Sequence, residues 1–209
     1  MLFDLHVHTT FSPCSSLSLE EILGKARSIG LDGVCLTDHE SMAAGGLVRE
    51  GVQDDGLCVI IGQEYATRQG DFLLFGPYES LPQGLEARHL LLYVQATGGV
   101  AVAAHPCRVE RPVDGSILRS GLCRLLEREN GRNTLLENKQ AARCLQSPAM
   151  SSVGGSDAHS LEELGRVAVR FDQAVHSREE LIRLLTMAEG VTFPCQPASE
   201  LLSVSCPAL

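Results

Sequence analysis

The sequence predicts an α/β fold of the barrel kind, and three observations carry that expectation. Short apolar runs of strand character, as at 33–36, 57–61 and 100–104, alternate with stretches of helical spacing. Chemistry-bearing polar residues follow the C-terminal ends of these runs: Asp38 and His39, Glu64, His105, and then Asp157 and His159. Ligands of parallel α/β sheets bind at that end of the strands, whether the sheet is open or closed. An open doubly wound sheet would spread these residues over two crevices, whereas a barrel gathers them at one mouth, so the barrel is preferred. At 209 residues the chain is shorter than the roughly 250 of an eightfold barrel, which implies a distorted or smaller one.

The first strand carries Asp4-Leu5-His6-Val7-His8. Alternation sets Leu5 and Val7 on one face and Asp4, His6 and His8 on the other. Two imidazoles two residues apart on one pleated face suit a single zinc, manganese or iron ion. After a polar connection, Ser18 and Glu21 spell a capping box, and Leu19, Ile22, Leu23, Ala26 and Ile29 continue at helical spacing as far as Gly30. Gly33–Leu36 reads as a doubly buried strand opening onto Thr37-Asp38-His39.

Residues 57–61 form the next strand, ending in Gly62-Gln63-Glu64, and 71–75 should be its neighbour after a turn at Gln69-Gly70. A helix over 85–97 stops at Gly98-Gly99, and the strand at 100–104 runs into His105-Pro106. Within 107–132 the run 122–127 fits either a short helix or a strand ending at Asn130-Gly131. Residues 133–145 read as helix, Val153 opens a brief strand towards Ser156-Asp157-Ala158-His159, and 167–171 alternates as a strand. Ser177 and Glu180 form a second capping box before a helix over 178–188. No periodicity follows Pro194, so the expected division is a barrel at 1–193 and a tail at 194–209.

The formal charge of −9 argues against a grip on long duplex nucleic acid, which depends on neutralised phosphates, but leaves room for a small anionic substrate held by metal. A hydrophobic fraction of 44% without any apolar run near the roughly 20 residues of a membrane span predicts a protein that does not cross a bilayer. The eight cysteines are scattered with no Cys-x-x-Cys pair, as expected of reduced thiols, and no basic and apolar leader precedes the first strand. A cytoplasmic location is expected. The composition leaves oligomeric partners unspecified.

Four or five His and carboxylate side chains at one mouth exceed what a single tetrahedral ion needs, which predicts two or three ions with a carboxylate such as Glu64 between them. Paired ions some 3.5–4 Å apart serve phosphoester hydrolysis, and the same centre polarises a carbonyl. The residue count alone therefore leaves an amidohydrolase open.

The ordered set His6-x-His8, Thr37-Asp38-His39, Gly62-x-Glu64, Ala104-His105-Pro106 and Ser156-Asp157-Ala158-His159 resembles the polymerase and histidinol phosphatase (PHP) family of metal-dependent phosphoesterases. The resemblance implies a distorted seven-stranded (β/α) TIM-like barrel, with zinc, manganese or iron ions at the C-terminal ends of its strands. It implies that His6, His8, Glu64 and Asp157 hold a first ion, and that Glu64 bridges to a second held by His105. A third would fall to His39 and His159 with one ligand from the loop after His8.

Where relatives place Asp or His in that loop, this chain has Ser12-Pro13-Cys14-Ser15, so Cys14 is the candidate ligand there. Asp71 stands about where a second-ion histidine is often found. Asp38 is expected to orient the neighbouring His39 ring or to move a proton, and Arg108, with Arg68 behind it, to meet a phosphate oxygen. His89 and His176 are expected to be surface or capping histidines, Cys107 a buried structural thiol, and the Asn130-Gly131-Arg132 turn structural. The activity implied is hydrolysis of a small phosphorylated metabolite, nucleotide or short oligonucleotide. An amidohydrolase or TatD-like hydrolase, or a catalytically silent metal-binding module, are the alternatives.

Overall fold

Phe3, Leu5 and Val7 alternate with Asp4 and His6 along β1 (Leu2–Val7), yet all five are fully buried, so this strand is covered on both faces. A computed structural model describes residues 1–145, 150–187 and 191–195. After β1 come α1 (Leu19–Ser28), β2 (Gly33–Leu36), a 3₁₀ turn at Ala43–Gly46, β3 (Gly51–Val52) and β4 (Cys58–Ile61). There follow β5 (Gln63–Thr67), β6 (Gly70–Phe75), α2 (Ala87–Ala96), β7 (Val100–Ala103), α3 (Gly115–Arg119) and β8 (Leu125–Asn130). The described chain closes with α4 (Leu135–Cys144), β9 (Ser151–Gly155), β10 (Ala168–Phe171), α5 (Arg178–Met187) and β11 (Val191–Cys195).

The strands lie in two sheets, ordered β11-β10-β1-β2-β4-β3 and β5-β6-β7-β8-β9. Two seams join them. At one, only Gly62 separates β4 from β5, and a parallel bridge links His39 to Glu64. A Cβ on Gly62 would lie 2.7 Å from the Leu74 carbonyl oxygen, so the strand changes sheets at a position only glycine fits. At the other seam a parallel bridge joins Val7 to Ala158 beyond β9, where the His8 N–H donates to the Ala158 carbonyl (3.0 Å) and the Ala158 N–H to that of His6 (3.2 Å). Counted around the ring, with β4 and β5 as one interrupted strand, these are β1, β2, β4/β5, β6, β7, β8 and β9. This is the expected distorted seven-stranded TIM-like barrel.

The distortion has a direct structural source. β6 runs antiparallel to both β5 and β7, because the turn at Arg68-Gln69 sends it straight back. Its first residues, Gly70 and Asp71, therefore lie at the end of the barrel where the parallel strands finish. β10 is likewise antiparallel to β1.

The strand faces divide the apolar residues between two cores. Phe3, Leu5, Cys35, Ile60, Leu73 and Phe75 pack together with Leu181, Leu184 and Leu185 of α5. Val34, Leu36, Val59, Phe72 and Leu74 face Ile22 and Ala26 of α1 and Leu90, Leu91 and Val94 of α2. Each Val, Leu, Ile or Phe among them contributes roughly 1.5–3 kcal/mol when fully buried.

The Ser18–Glu21 capping box is present at α1, and a second, Thr134–Glu137, begins α4. At α5 the expected box is only half made. The Ser177 hydroxyl accepts from the Glu180 N–H (3.3 Å), but the Glu180 carboxylate accepts from the N–H of His176 (2.7 Å). The run 122–127 resolves as the start of strand β8. α3, five residues long and too short for a legible period, precedes it. β11 pairs with β10 as far as Cys195, so the paired fold runs two residues past the expected 193/194 boundary; as an edge strand it accommodates Pro194. Residues 196–209 of the expected tail lie outside the described residues. Among the described residues no helix is long and apolar enough to cross a membrane.

Candidate metal centre

β1 delivers His6 and His8 to the barrel mouth with their Nε2 atoms 2.9 Å apart. Glu64, at the start of β5, sets Oε2 3.3 Å from each of these nitrogens. Asp157, just past β9, brings Oδ1 to 3.5 Å from His6 and 3.4 Å from His8. All four residues are buried. Donors about 2.0–2.1 Å from a tetrahedral ion stand about 3.3 Å from one another, so these separations fit the edges of a single coordination shell.

Hydrogen bonds behind the rings fix which nitrogen faces inward. The Ser12 hydroxyl donates to Asp38 Oδ1 (2.6 Å) and so accepts from His8 Nδ1–H (3.0 Å) and from the His39 N–H (3.0 Å). His6 Nδ1–H donates to Glu127 Oε1 at 2.9 Å. In the neutral rings both Nε2 lone pairs then face Glu64 and Asp157. Lone pairs and carboxylates buried head to head repel unless a cation lies among them, and the donor set therefore fits a divalent ion. Burial drives the Glu64 carboxyl upward, but the His6, His105 and His39 imidazoles outweigh it and hold it well below the usual carboxylate range.

Two further donor groups adjoin this one. Glu64 Oε1 lies 2.8 Å from His105 Nε2, and Asp71 Oδ2 is 4.0 Å from the same nitrogen. Both Asp71 oxygens are engaged by Arg111, through Nε (2.7 Å) and Nη2 (2.5 Å). His105 Nδ1 is buried without a hydrogen-bond partner among the described residues. On the other side, ring nitrogens of His8, His39 and His159 lie within 4.8 Å of one another. Glu64 Oε2 is 3.0 Å from His39 Nδ1, and His159 Nε2 is 3.2 Å from Cys14 Sγ. Burial, then the neighbouring His8, lowers His159 to about 4. His105 and Asp157 hold positive φ angles of 30° and 54°, a strained conformation at non-glycine residues that clusters at functional sites.

The expected metal residues are thus brought together, while the Asp38 carboxylate has other partners than the sequence reading gives it. The Asp38 carboxylate is taken up by the Thr9 N–H and hydroxyl (both 2.7 Å) and by Ser12, so it orients His8 through Ser12 rather than the ring of its neighbour His39. The cause is the tight 9–12 turn, which folds its donors onto this carboxylate. Arg108 reaches the centre as a braced cation: Nη2 donates to Asp157 Oδ2 (2.7 Å) and Asn130 Oδ1 (2.9 Å), and Nε to Asn133 Oδ1 (3.0 Å). Arg68 lies farther out, lining a cavity of about 360 Å³ with Arg111, Glu110 and Asp114.

The sequence reading missed Glu127, Asn130 and Arg111. Glu127 bears the same mark as the other candidates, a carboxylate inside a strand after the apolar pair Leu125-Leu126, but the helix-or-strand ambiguity of that run concealed it. Asn130, read as part of a structural turn, is buried and links Glu127 to Arg108.

Comparison with known proteins bears on the same residues. Residues 4–105 match the PHP domain and residues 136–189 the PHP-associated family. The uncharacterized protein MJ1587 of Methanocaldococcus jannaschii is 31% identical over 116 residues, covering 51% of this chain and 68% of that protein. Among solved structures, PsfC from Pseudomonas syringae PB-5123 superposes with a TM-score of 0.69 at 19% identity, covering 90% of this chain and 95% of PsfC. The lesion-specific endonuclease PfuEndoQ from Pyrococcus furiosus superposes with a TM-score of 0.64 at 16% identity; 92% of this chain is covered but only 58% of the endonuclease. The structural likenesses speak for the fold, and the sequence matches for descent. The chain belongs to the PHP family of metal-dependent phosphoester hydrolases.

Proposed function

We propose that this chain hydrolyses a phosphoester of a small metabolite, a nucleotide or a short oligonucleotide, using two or three divalent ions of zinc, manganese or iron. The observation that carries the reading is the position of Glu64, with one carboxylate oxygen towards His6 and His8 and the other towards His105. His6, His8, Glu64 and Asp157 would hold the first ion. Glu64 and His105 would hold the second, with Asp71 beside them, and His39, His159 and Cys14 the third. Ions bound there would acidify water at neutral pH and offset charge on the phosphoryl oxygens.

The remaining work falls to the side chains. Among the described residues Arg108 bonds to Asp157, Asn130 and Asn133 through Nε and Nη2 and not through Nη1, which leaves that N–H pair to a phosphoryl oxygen. Where no third ion is bound, His39, whose side chain is 39% exposed while the other site imidazoles are buried, is placed to meet a leaving oxygen and hand it a proton. The charge of −9 favours a small anion or a short strand over a long duplex, although a structural neighbour acts on DNA lesions. We place the protein in the cytoplasm, a reading supported by the free thiols of Cys14, Cys35, Cys58, Cys107, Cys123 and Cys144.

The test is phosphate release by protein loaded in turn with zinc, manganese and iron, over a panel of nucleotides, sugar phosphates, histidinol phosphate and 5′-phosphorylated oligonucleotides. Turnover of at least one phosphoester, stopped by chelation, is expected. Hydrolysis confined to amides would replace this reading with the amidohydrolase one, and metal binding without turnover of either class with the silent module.

A further inference from the structure

Three hydrogen-bond donors converge on the buried carboxylate of Glu127. His6 Nδ1–H donates to Oε1 (2.9 Å), while the His105 N–H (2.7 Å) and Asn130 Nδ2 (2.8 Å) donate to Oε2. Every partner is a donor, so both oxygens accept. Asn130 cannot reverse its amide to suit another arrangement, because its Oδ1 already accepts from Arg108 (2.9 Å) and from the Arg132 N–H (3.0 Å). The chain also keeps space for this contact. A Cβ on Gly155 would lie 2.4 Å from His6 Cβ and 2.7 Å from Glu127 Oε1.

We infer that Glu127 is a positioning residue for two candidate ligands at once: it holds the proton of His6 on Nδ1 and pins the strained backbone at His105. The first role keeps the His6 Nε2 lone pair turned towards Glu64 and Asp157. The second holds His105, at φ 30°, with Nε2 against Glu64 Oε1. One carboxylate from β8 thereby sets the geometry of both ion positions that share Glu64.

An isosteric amide separates this role from simple packing. In Glu127→Gln the single carbonyl oxygen satisfies the His105 and Asn130 donors only if the new NH₂ faces His6 Nδ1. That ring must then accept, and its proton moves to Nε2, where it blocks an ion. This is the tautomer logic of a catalytic Asp→Asn change transferred to a metal ligand. The affinity half of the inference rests on the phosphoesterase reading; the ring-proton half does not.

The experiment records long-range ¹H–¹⁵N correlations of the histidine rings at pH 8 in wild type and Glu127→Gln, each with and without zinc, and titrates zinc into both. A proton on His6 Nδ1 is expected in the wild type in either state. In the variant the proton should lie on Nε2, and zinc affinity should fall 10–100-fold. A wild-type His6 without a proton on Nδ1 would overturn the inference, and that reading needs no variant to fold. A folded variant that keeps both the Nδ1 proton and wild-type zinc affinity would also overturn it. If the wild type binds no zinc, manganese or iron, the phosphoesterase reading fails, and the ring proton of the metal-free protein still decides the positioning role.

Discussion

Arg111 holds Asp71 in a two-point clamp, Nε to Oδ2 at 2.7 Å and Nη2 to Oδ1 at 2.5 Å, while the same Asp71 Oδ2 stands 4.0 Å from His105 Nε2. Asp71 therefore serves a guanidinium at the place where a second-ion ligand was expected. Arg111→Ala leaves a buried carboxylate beside Glu64 without its cation. Hydrogen bonds to charged groups contribute roughly 1.5–3 kcal/mol, and the half-exposed guanidinium reduces that to about 1–2 kcal/mol. In chelator the variant should melt about 2–8 °C below the wild type. Added zinc should recover part of the gap by taking over the neutralisation of Asp71. Equal melting temperatures in chelator would mean that the clamp carries no stability.

Gly155 and Gly33 are both crowded, but against different neighbours. A Cβ at 33 would meet the Phe3 ring at 2.2 Å, and one at 155 would meet His6 and Glu127. Gly33→Ala and Gly155→Ala should each cost about 1–3 kcal/mol in urea unfolding. Only Gly155→Ala should also lower the bound metal, by elemental analysis. Equal metal content in the two variants would separate the Glu127 contact from ion binding.

Cys14 lies at the outer edge of the His39–His159 group, its sulfur 3.2 Å from His159 Nε2. A thiolate ligand there favours zinc over manganese. Cobalt substitution should produce a near-ultraviolet sulfur-to-cobalt charge-transfer band that Cys14→Ser abolishes. A cobalt-loaded wild type lacking the band would remove Cys14 from the ligand set.

Glu137 ties the loop that carries Arg108 and Arg111 to the start of α4. Its carboxylate accepts from the Val109 N–H (2.9 Å), the Thr134 N–H (2.7 Å) and the Thr134 hydroxyl (2.8 Å), and these bonds, that of Val109 first, lower its pKa below the ordinary 4.5. A lowered carboxyl contributes stability that is fully present above the unfolded value and is lost as pH falls through the folded one. Glu137→Gln should therefore cost about 1 kcal/mol at pH 7, with the difference from wild type narrowing below pH 4.5. Urea midpoints at pH 7 and at acid pH measure it, and a gap that widened in acid would reverse the assigned sign.

Much of this centre was legible because strand-end chemistry is local. His6, His8, His39, Glu64, His105, Asp157 and His159 each follow or end an apolar run, and a barrel turns that one-dimensional regularity into a common mouth. The hairpin at Gln69-Gly70 was legible too, from its turn residues. The supports were not. Whether Asp38 meets His39 or Ser12 depends on the side-chain geometry of a tight turn. The Glu127–His6 bond spans 121 positions and the Arg111–Asp71 clamp 40, and neither leaves a periodic trace. Asp71 sits at the beginning of its strand, where the strand-end rule points the wrong way until β6 is known to run backwards.

The measurement to make first is the metal-to-protein ratio of freshly purified wild type beside the His6→Ala/His8→Ala double variant. The three adjoining donor groups at the barrel mouth predict two or three equivalents in the wild type and the loss of at least one in the variant. A wild type that binds no zinc, manganese or iron when each is supplied, or a double variant with an unchanged ratio, would mean that these side chains do not form the ion site.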